Sequence, residues 1–214
     1  IKLMANLAKE LKMPALAITD TGNLFGALEF SEAAAEKGVQ PIIGCTLKCE
    51  IDEPAKDGAQ KHQTGLRRVP SLALIAKDGA GYGNLMKLSS HAYLDSPDNS
   101  EPHVSFADLA AHAQGLICLT GGPPGPINDA LVAGQMTLAR QRLLRLRDVF
   151  GDRLYIELQR HGTEAERTAE PGLVELAYEL DIPLVATNEC YFAKPDDYAA
   201  HDALICIAEG EVIA

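Results

Sequence analysis

Short, unbroken apolar runs alternating with helix-period segments constrain this chain more than any other feature. The runs are ALAIT (15–19), VQPIIGCTLKC (39–49), VPSLALIAK (69–77), GLICLTG (115–121), RLYIELQR (153–160) and IPLVATN (182–188). Runs of this length without polar alternation suit strands covered on both faces, as in parallel sheets. Between them lie segments with helical spacing at 2–12, 24–37, 84–94, 136–150, 164–180 and 196–210. In the first, Leu3, Leu7 and Leu11 recur at i, i+4 and i+8 and predict one buried stripe. Ser105 with Asp108 three residues on predicts an N-cap for a short helix through Ala113, and the stiff turn GGPPGP (121–126) precedes another near 127–133. Strand and helix thus alternate about six times, which predicts a parallel α/β architecture, either a barrel or a doubly wound sheet. Residues 52–68 are polar and aperiodic and read as an excursion.

At 214 residues the chain fits one large domain or two small ones, with enough length for a true core. It starts without Met and stops without an obvious closing element, and is expected to be part of a longer protein. No apolar run reaches the ~18 residues of a membrane span, and no signal peptide opens the chain. Thirty acidic against 19 basic residues give a net charge of −11, a poor surface for holding nucleic acid directly. Five cysteines, four of them in apolar stretches, read as free thiols in a reducing cytoplasm. Neither a Gly-x-Gly-x-x-Gly after the first strand nor a Walker-A motif is present.

In parallel α/β folds the chemistry sits at the carboxyl ends of strands. Asp20, Glu157, His161 and Glu189 are the strong metal or acid–base candidates there. Four scattered groups with one His are a thin set for a hydrolytic metal cluster. The plain alternative is that Asp20 and Asn188 tie down turns and His161 ends a strand. His91 and His201 read as surface or packing residues.

The stretch PALAITDTGNLFGALEFSEAAAEKGVQPIIGC (14–45) resembles the PHP domain at the amino end of bacterial replicative DNA polymerase III alpha subunits. YGNLMKLSSHAYL (82–94), GLICLTGGPPGPI (115–127), LYIELQRHG (154–162) and PLVATNECYF (183–192) extend the likeness in order along the chain. The resemblance implies one PHP domain over 1–214, a distorted (β/α)7 barrel lacking its first strand here. Metal-binding members carry an H-x-H motif that would precede Ile1, and T-D-H-G where this chain has Thr19-Asp20-Thr21-Gly22. Thr46 stands where a Glu follows I-I-G-C, and Gly122 where a Cys is usual. The N-D-x-H motif becomes Asn188-Glu189-Cys190-Tyr191, while His161 survives.

Asp20, Thr21, Thr46, Gly122, His161, Glu189 and Tyr191 are therefore expected to be vestigial metal-site positions, with no metal and no catalytic residue in this segment. The resemblance further implies a domain that supports the polymerase core and docks a proofreading exonuclease subunit. The parent's template-directed synthesis, with Mg as its cofactor, would be carried elsewhere in the chain. An active metal-dependent phosphoesterase or built-in 3′–5′ exonuclease is the alternative, and an unrelated barrel enzyme using Asp20, Glu157 and His161 a remoter one. Arg140, Arg142, Arg145 and Arg147 form a local basic row against the acidic background, and read as a solvated face, a protein interface or, less readily, a direct DNA contact.

Overall fold

The computed structural model describes residues 1–52, 69–97 and 100–213. Most of the polar excursion therefore lies outside the described residues. Strand β1 (Ala15–Thr21) follows helix α1 (Lys2–Glu10), and α2 (Ala27–Glu36) leads into β2 (Gln40–Glu50). Strand β3 (Ser71–Ala76) precedes α3 (Gly79–Leu94), the two-residue β4 (Val104–Ser105), α4 (Phe106–Ala111) and β5 (Leu116–Leu119). Helices α5 (Pro126–Val132) and α6 (Met136–Phe150) then precede β6 (Leu154–Leu158), α7 (Glu164–Leu180), β7 (Leu184–Ala186) and α8 (Tyr198–Glu209).

The strands form one curled, half-barrel sheet in the order β1-β2-β3-β5-β6-β7, with β4 pairing on β2. It is mixed rather than parallel: β3 runs against both β2 and β5. The two reversals cancel, so β1, β2, β5, β6 and β7 all point their carboxyl ends to one rim. Only the start of β3, at Ser71, joins them there. An apolar run records that a strand is covered, not which way it travels, which is why β3's direction was not expected.

The core lies between the sheet and helices α3, α5, α6 and α7, built on Leu47, Leu72, Leu74, Leu85, Leu116, Leu143 and Phe150. Helix α6 buries Ala139, Leu143, Leu146 and Phe150, one stripe at helical spacing. The ends of α4 and α7 follow their caps: Ser105 accepts from Asp108 N–H, and Thr163 and Glu166 form a reciprocal capping box.

Two expectations fail at the sheet edge. Helix α1 buries Ala5 and Ala8, while Leu3 is 84% exposed and Leu11 64%. Small side chains let α1 lie close to the domain, and this turns the leucines outward. Strand β1 is half-exposed along its length because, among the described residues, it has a strand partner on one side alone. Cys45, Cys49 and Cys118 are buried, but Cys190 is exposed and Cys206 half-buried. Burial pushes the Cys45 and Cys49 thiols up to about 12, which keeps them protonated and unreactive. Among the described residues no helix is long and apolar enough to cross a membrane.

Candidate functional site

The rim gathers the carboxyl ends of five strands, and the expected metal-site positions lie at or follow those ends. Thr21 sits level with Thr46 in the β1–β2 ladder. Thr120 to Gly122 follow β5, His161 follows β6, and Thr187 to Tyr191 follow β7. The rim's floor is a hydrogen-bonded network centred on Glu157, a 5% exposed carboxylate in β6. Its Oε2 accepts the Gly121 N–H at 3.0 Å. Its Oε1 accepts the Thr187 hydroxyl at 2.5 Å and the Gln159 amide at 3.2 Å. Thr120 Oγ1 accepts the Glu157 N–H at 3.0 Å, and Gln159 Nε2 also reaches Thr187 Oγ1 at 3.2 Å. Three strands are thereby tied together across one buried carboxylate.

The other positions are engaged locally. Asp20 Oδ2 accepts the Gly26 N–H at 3.2 Å, tying the turn into α2. Thr46 Oγ1 donates to the Thr19 carbonyl at 3.4 Å. The space beside Gly122, where a side chain would begin, holds the Gln159 amide, whose atoms stand 2.8–2.9 Å from that point. Tyr191 donates to Glu189 Oε2 at 2.7 Å, and this hydrogen bond to a carboxylate raises the phenol's pKa.

His161 is held by the cap of α7. Its Nδ1–H donates to Glu166 Oε1 at 2.8 Å, while Glu166 Oε2 accepts the Thr163 N–H at 2.9 Å. Burial pushes the Glu166 carboxyl up, but the hydrogen bonds from Thr163 and His161 outweigh it and bring it down to about 2. A depressed folded-state pKa gives stability that is present above the ordinary 4.5 and lost as pH falls toward 2. Glu166→Gln is expected to flatten that acid limb in urea unfolding followed between pH 5 and 2; an unchanged limb would assign the acid sensitivity elsewhere.

This donor set does not fit a hydrolytic metal cluster. Thr, Gly and Tyr offer no strong ligand at the four positions Thr21, Thr46, Gly122 and Tyr191, and Asp20 Oδ2, His161 Nδ1 and Glu189 Oε2 each already hold a protein hydrogen bond. Among the described residues, the one group of three or more His, Cys, Asp or Glu side chains within mutual ligating distance is His91, Asp95 and Asp108, which shares no residue with the rim positions named above. His91, expected to be a surface or packing residue, is part-exposed and stacks edge-on against His112. The sequence signal is faint, because His91 and Asp95 lie one helical turn apart and Asp108 arrives from another helix. Gln159 gives no sequence signal either: an amide two residues past a buried Glu belongs to no motif.

The arginine row is not a free basic strip. Arg142 bonds Asp52 Oδ2 at 2.5 Å and the Pro126 carbonyl at 2.6 Å. Arg145 caps the Ile51 carbonyl at 2.5 Å and lies 4.4 Å over the Phe106 ring. Arg147 reaches the Leu180 carbonyl at 3.3 Å, and Arg140 pairs with Glu179 at 2.7 Å. Arg145 and Arg147 turn to carbonyls just past β2 and at the end of α7, while Arg142 adds a second bond to the first carbonyl of α5. Arg140 keeps 45% of its side chain exposed in its pair with Glu179.

A model of the PHP domain matches residues 1–161. The chain is 49% identical, over 98% of its length, to a DNA polymerase III subunit alpha of Caulobacter vibrioides, of which it covers 18%. It is 39% identical over 97% to those of Rickettsia bellii and Treponema pallidum, covering 17% of each. It thus spans less than a fifth of the length of these curated relatives. A solved structure from Bifidobacterium adolescentis, named for the metal-dependent phosphoesterases, matches over 91% of this chain and 83% of its own, with a TM-score of 0.54 and 13% identity. At that identity the likeness speaks for the fold alone.

Proposed function

We propose, from the premise that this chain belongs to the PHP domain family, that it serves as a non-catalytic structural and docking domain of a DNA polymerase III alpha subunit. The observation that carries this reading is the rim itself. The network on Glu157 and the Gln159 amide beside Gly122 lie where a hydrolytic site would need open ligands and room for water. Such a rim ties strands together instead of presenting a metal. The parent protein would carry out template-directed DNA synthesis in the cytoplasm, with Mg held by other domains, and this acidic segment would meet DNA only through them.

The domain's partners in this reading are the polymerase domains of the same chain and a proofreading exonuclease subunit. Arg140 and Arg147 are the arginines of α6 offered to that contact. The double variant Arg140→Glu/Arg147→Glu is expected to cost about 1.5–3 kcal/mol of folding stability, nearly all at Arg147, which gives up the Leu180 carbonyl, since the exposed Arg140–Glu179 pair contributes little. It is expected to weaken capture of the exonuclease subunit at least tenfold in a pull-down of the full-length protein. Unchanged capture would remove this face from the docking surface. Metal-dependent hydrolysis that requires His161 would overturn the non-catalytic half.

A further inference from the structure

We propose that His91, Asp95 and Asp108 form a divalent transition-metal site, best suited to zinc, that staples the end of α3 to the start of α4. The three side chains bring ligand atoms within 4.8 Å of one another. His91 Nδ1 lies 3.6 Å from Asp95 Oδ2 and 3.8 Å from Asp108 Oδ1. Both separations are too long for an N–H···O hydrogen bond. They are close to the spacing of two ligand atoms on a tetrahedral ion, about 3.3–3.4 Å for bonds of ~2.0–2.1 Å. The ring nitrogen is shielded from solvent and has no hydrogen-bond partner. A buried nitrogen left in that state is unfavourable, and a cation between it and the carboxylates removes the cost.

The surroundings support these ligands as an outer shell does. Ser105 Oγ donates to Asp108 Oδ2 at 2.6 Å, leaving Oδ1 turned toward His91. His112 Nδ1 lies 3.0 Å from the Asp108 carbonyl; a carbonyl only accepts, so the proton sits on Nδ1. The same ring stands edge-on to His91, with centroids 5.2 Å apart and planes at 81°, and limits rotation of the imidazole. His91 lies in the last turn of the 16-residue α3 and Asp95 is its C-cap. The partial negative charge of that helix end adds to two carboxylates in favouring a cation. One imidazole and two carboxylates suit zinc better than calcium or magnesium, which favour all-oxygen shells.

The site shares no residue with the rim and is independent of the reading given to the rim. The test is a zinc titration of the full-length protein against a chromophoric chelator. One equivalent is expected whose affinity falls at least tenfold in His91→Ala and in Asp95→Asn, and is unmoved by Asp20→Asn or His161→Ala. Asp95 is 63% exposed in its side chain, so its variant keeps the test open if His91→Ala fails to fold. Zinc bound with equal affinity by both variants, or no zinc bound by the parent protein, would overturn the proposal. Zinc lost in the rim variants alone would overturn it as well, and would also count against a non-catalytic rim.

Discussion

Replacing Gly121 by alanine is expected to lower the domain's melting temperature by about 8–16 °C or leave it insoluble. Gly121 has φ +86°, where an L side chain costs about 1–2 kcal/mol. A Cβ there would also stand well inside van der Waals contact of the Ser71 carbonyl, with Gly125 Cα 3.3 Å away. Neither neighbour is a flexible side chain. Ser71 opens β3 and donates its N–H to Pro124 O at 3.0 Å, so yielding would open the turn and the β3–β5 edge together. The Gly121 N–H would leave Glu157 in the same movement. The summed cost exceeds about 4 kcal/mol, which sets the temperature shift for a domain of this size. Gly134 is the matched control. Its φ is +71°, but nothing lies within 4 Å of the added carbon. Gly134→Ala is expected to cost only the backbone part, about 1–2 kcal/mol. Equal losses in the two variants, by thermal or urea unfolding, would mean that close approach is not what Gly121 serves.

Glu157→Ala should be the second most damaging change, at about 3–4 kcal/mol. The carboxylate accepts from the Gly121 N–H, the Thr187 hydroxyl and the Gln159 amide. Hydrogen bonds to a charged acceptor contribute about 1.5–3 kcal/mol each, but Gln159 can re-pair with Thr187 once the acid is gone. The Gly121 N–H is the group left without an acceptor. Glu157→Gln keeps one oxygen acceptor and the side chain's shape, and is expected to lose about half as much. This pair also separates structure from catalysis. A structural Glu157 makes the unfolding losses rank Ala above Gln, with polymerase activity falling only as the fold does. A Glu157 acting on substrate would give a stable Gln variant that loses hydrolysis outright.

Much of this was legible in particular residues. Helices α6 and α7 match their expected spans because each places an apolar stripe at helical spacing between clear stops. Pro171 sits inside α7, yet the capping box at Thr163 and the buried Leu173, Leu176 and Leu180 hold the helix around it. The Ser105 cap was equally readable, because capping is a contact between residues three apart. The departures are all non-local. Nothing local to SLALIA tells that β3 opposes its neighbours. The leucines of α1 have helical spacing whichever way the helix is turned. At the rim, the substitutions at Thr21, Thr46, Gly122 and Tyr191 could be read from motif comparison. The filling of the rim by Gln159 could not, since it depends on a side chain folding back over Gly122. The arginine row shows the same limit. Charge was visible, but the carbonyls of Ile51, Pro126 and Leu180 that receive it come from distant turns.

The central claim is that this rim ties the domain together and does not hydrolyse phosphoesters. The most direct measurement is a hydrolysis assay on the full-length protein with Mn²⁺ or Zn²⁺ and a primer bearing a mispaired 3′ end, run beside Asp20→Asn and His161→Ala. The account predicts no 3′–5′ cleavage that depends on either residue, with polymerase activity retained in both variants. Metal-dependent cleavage that both substitutions abolish would contradict it.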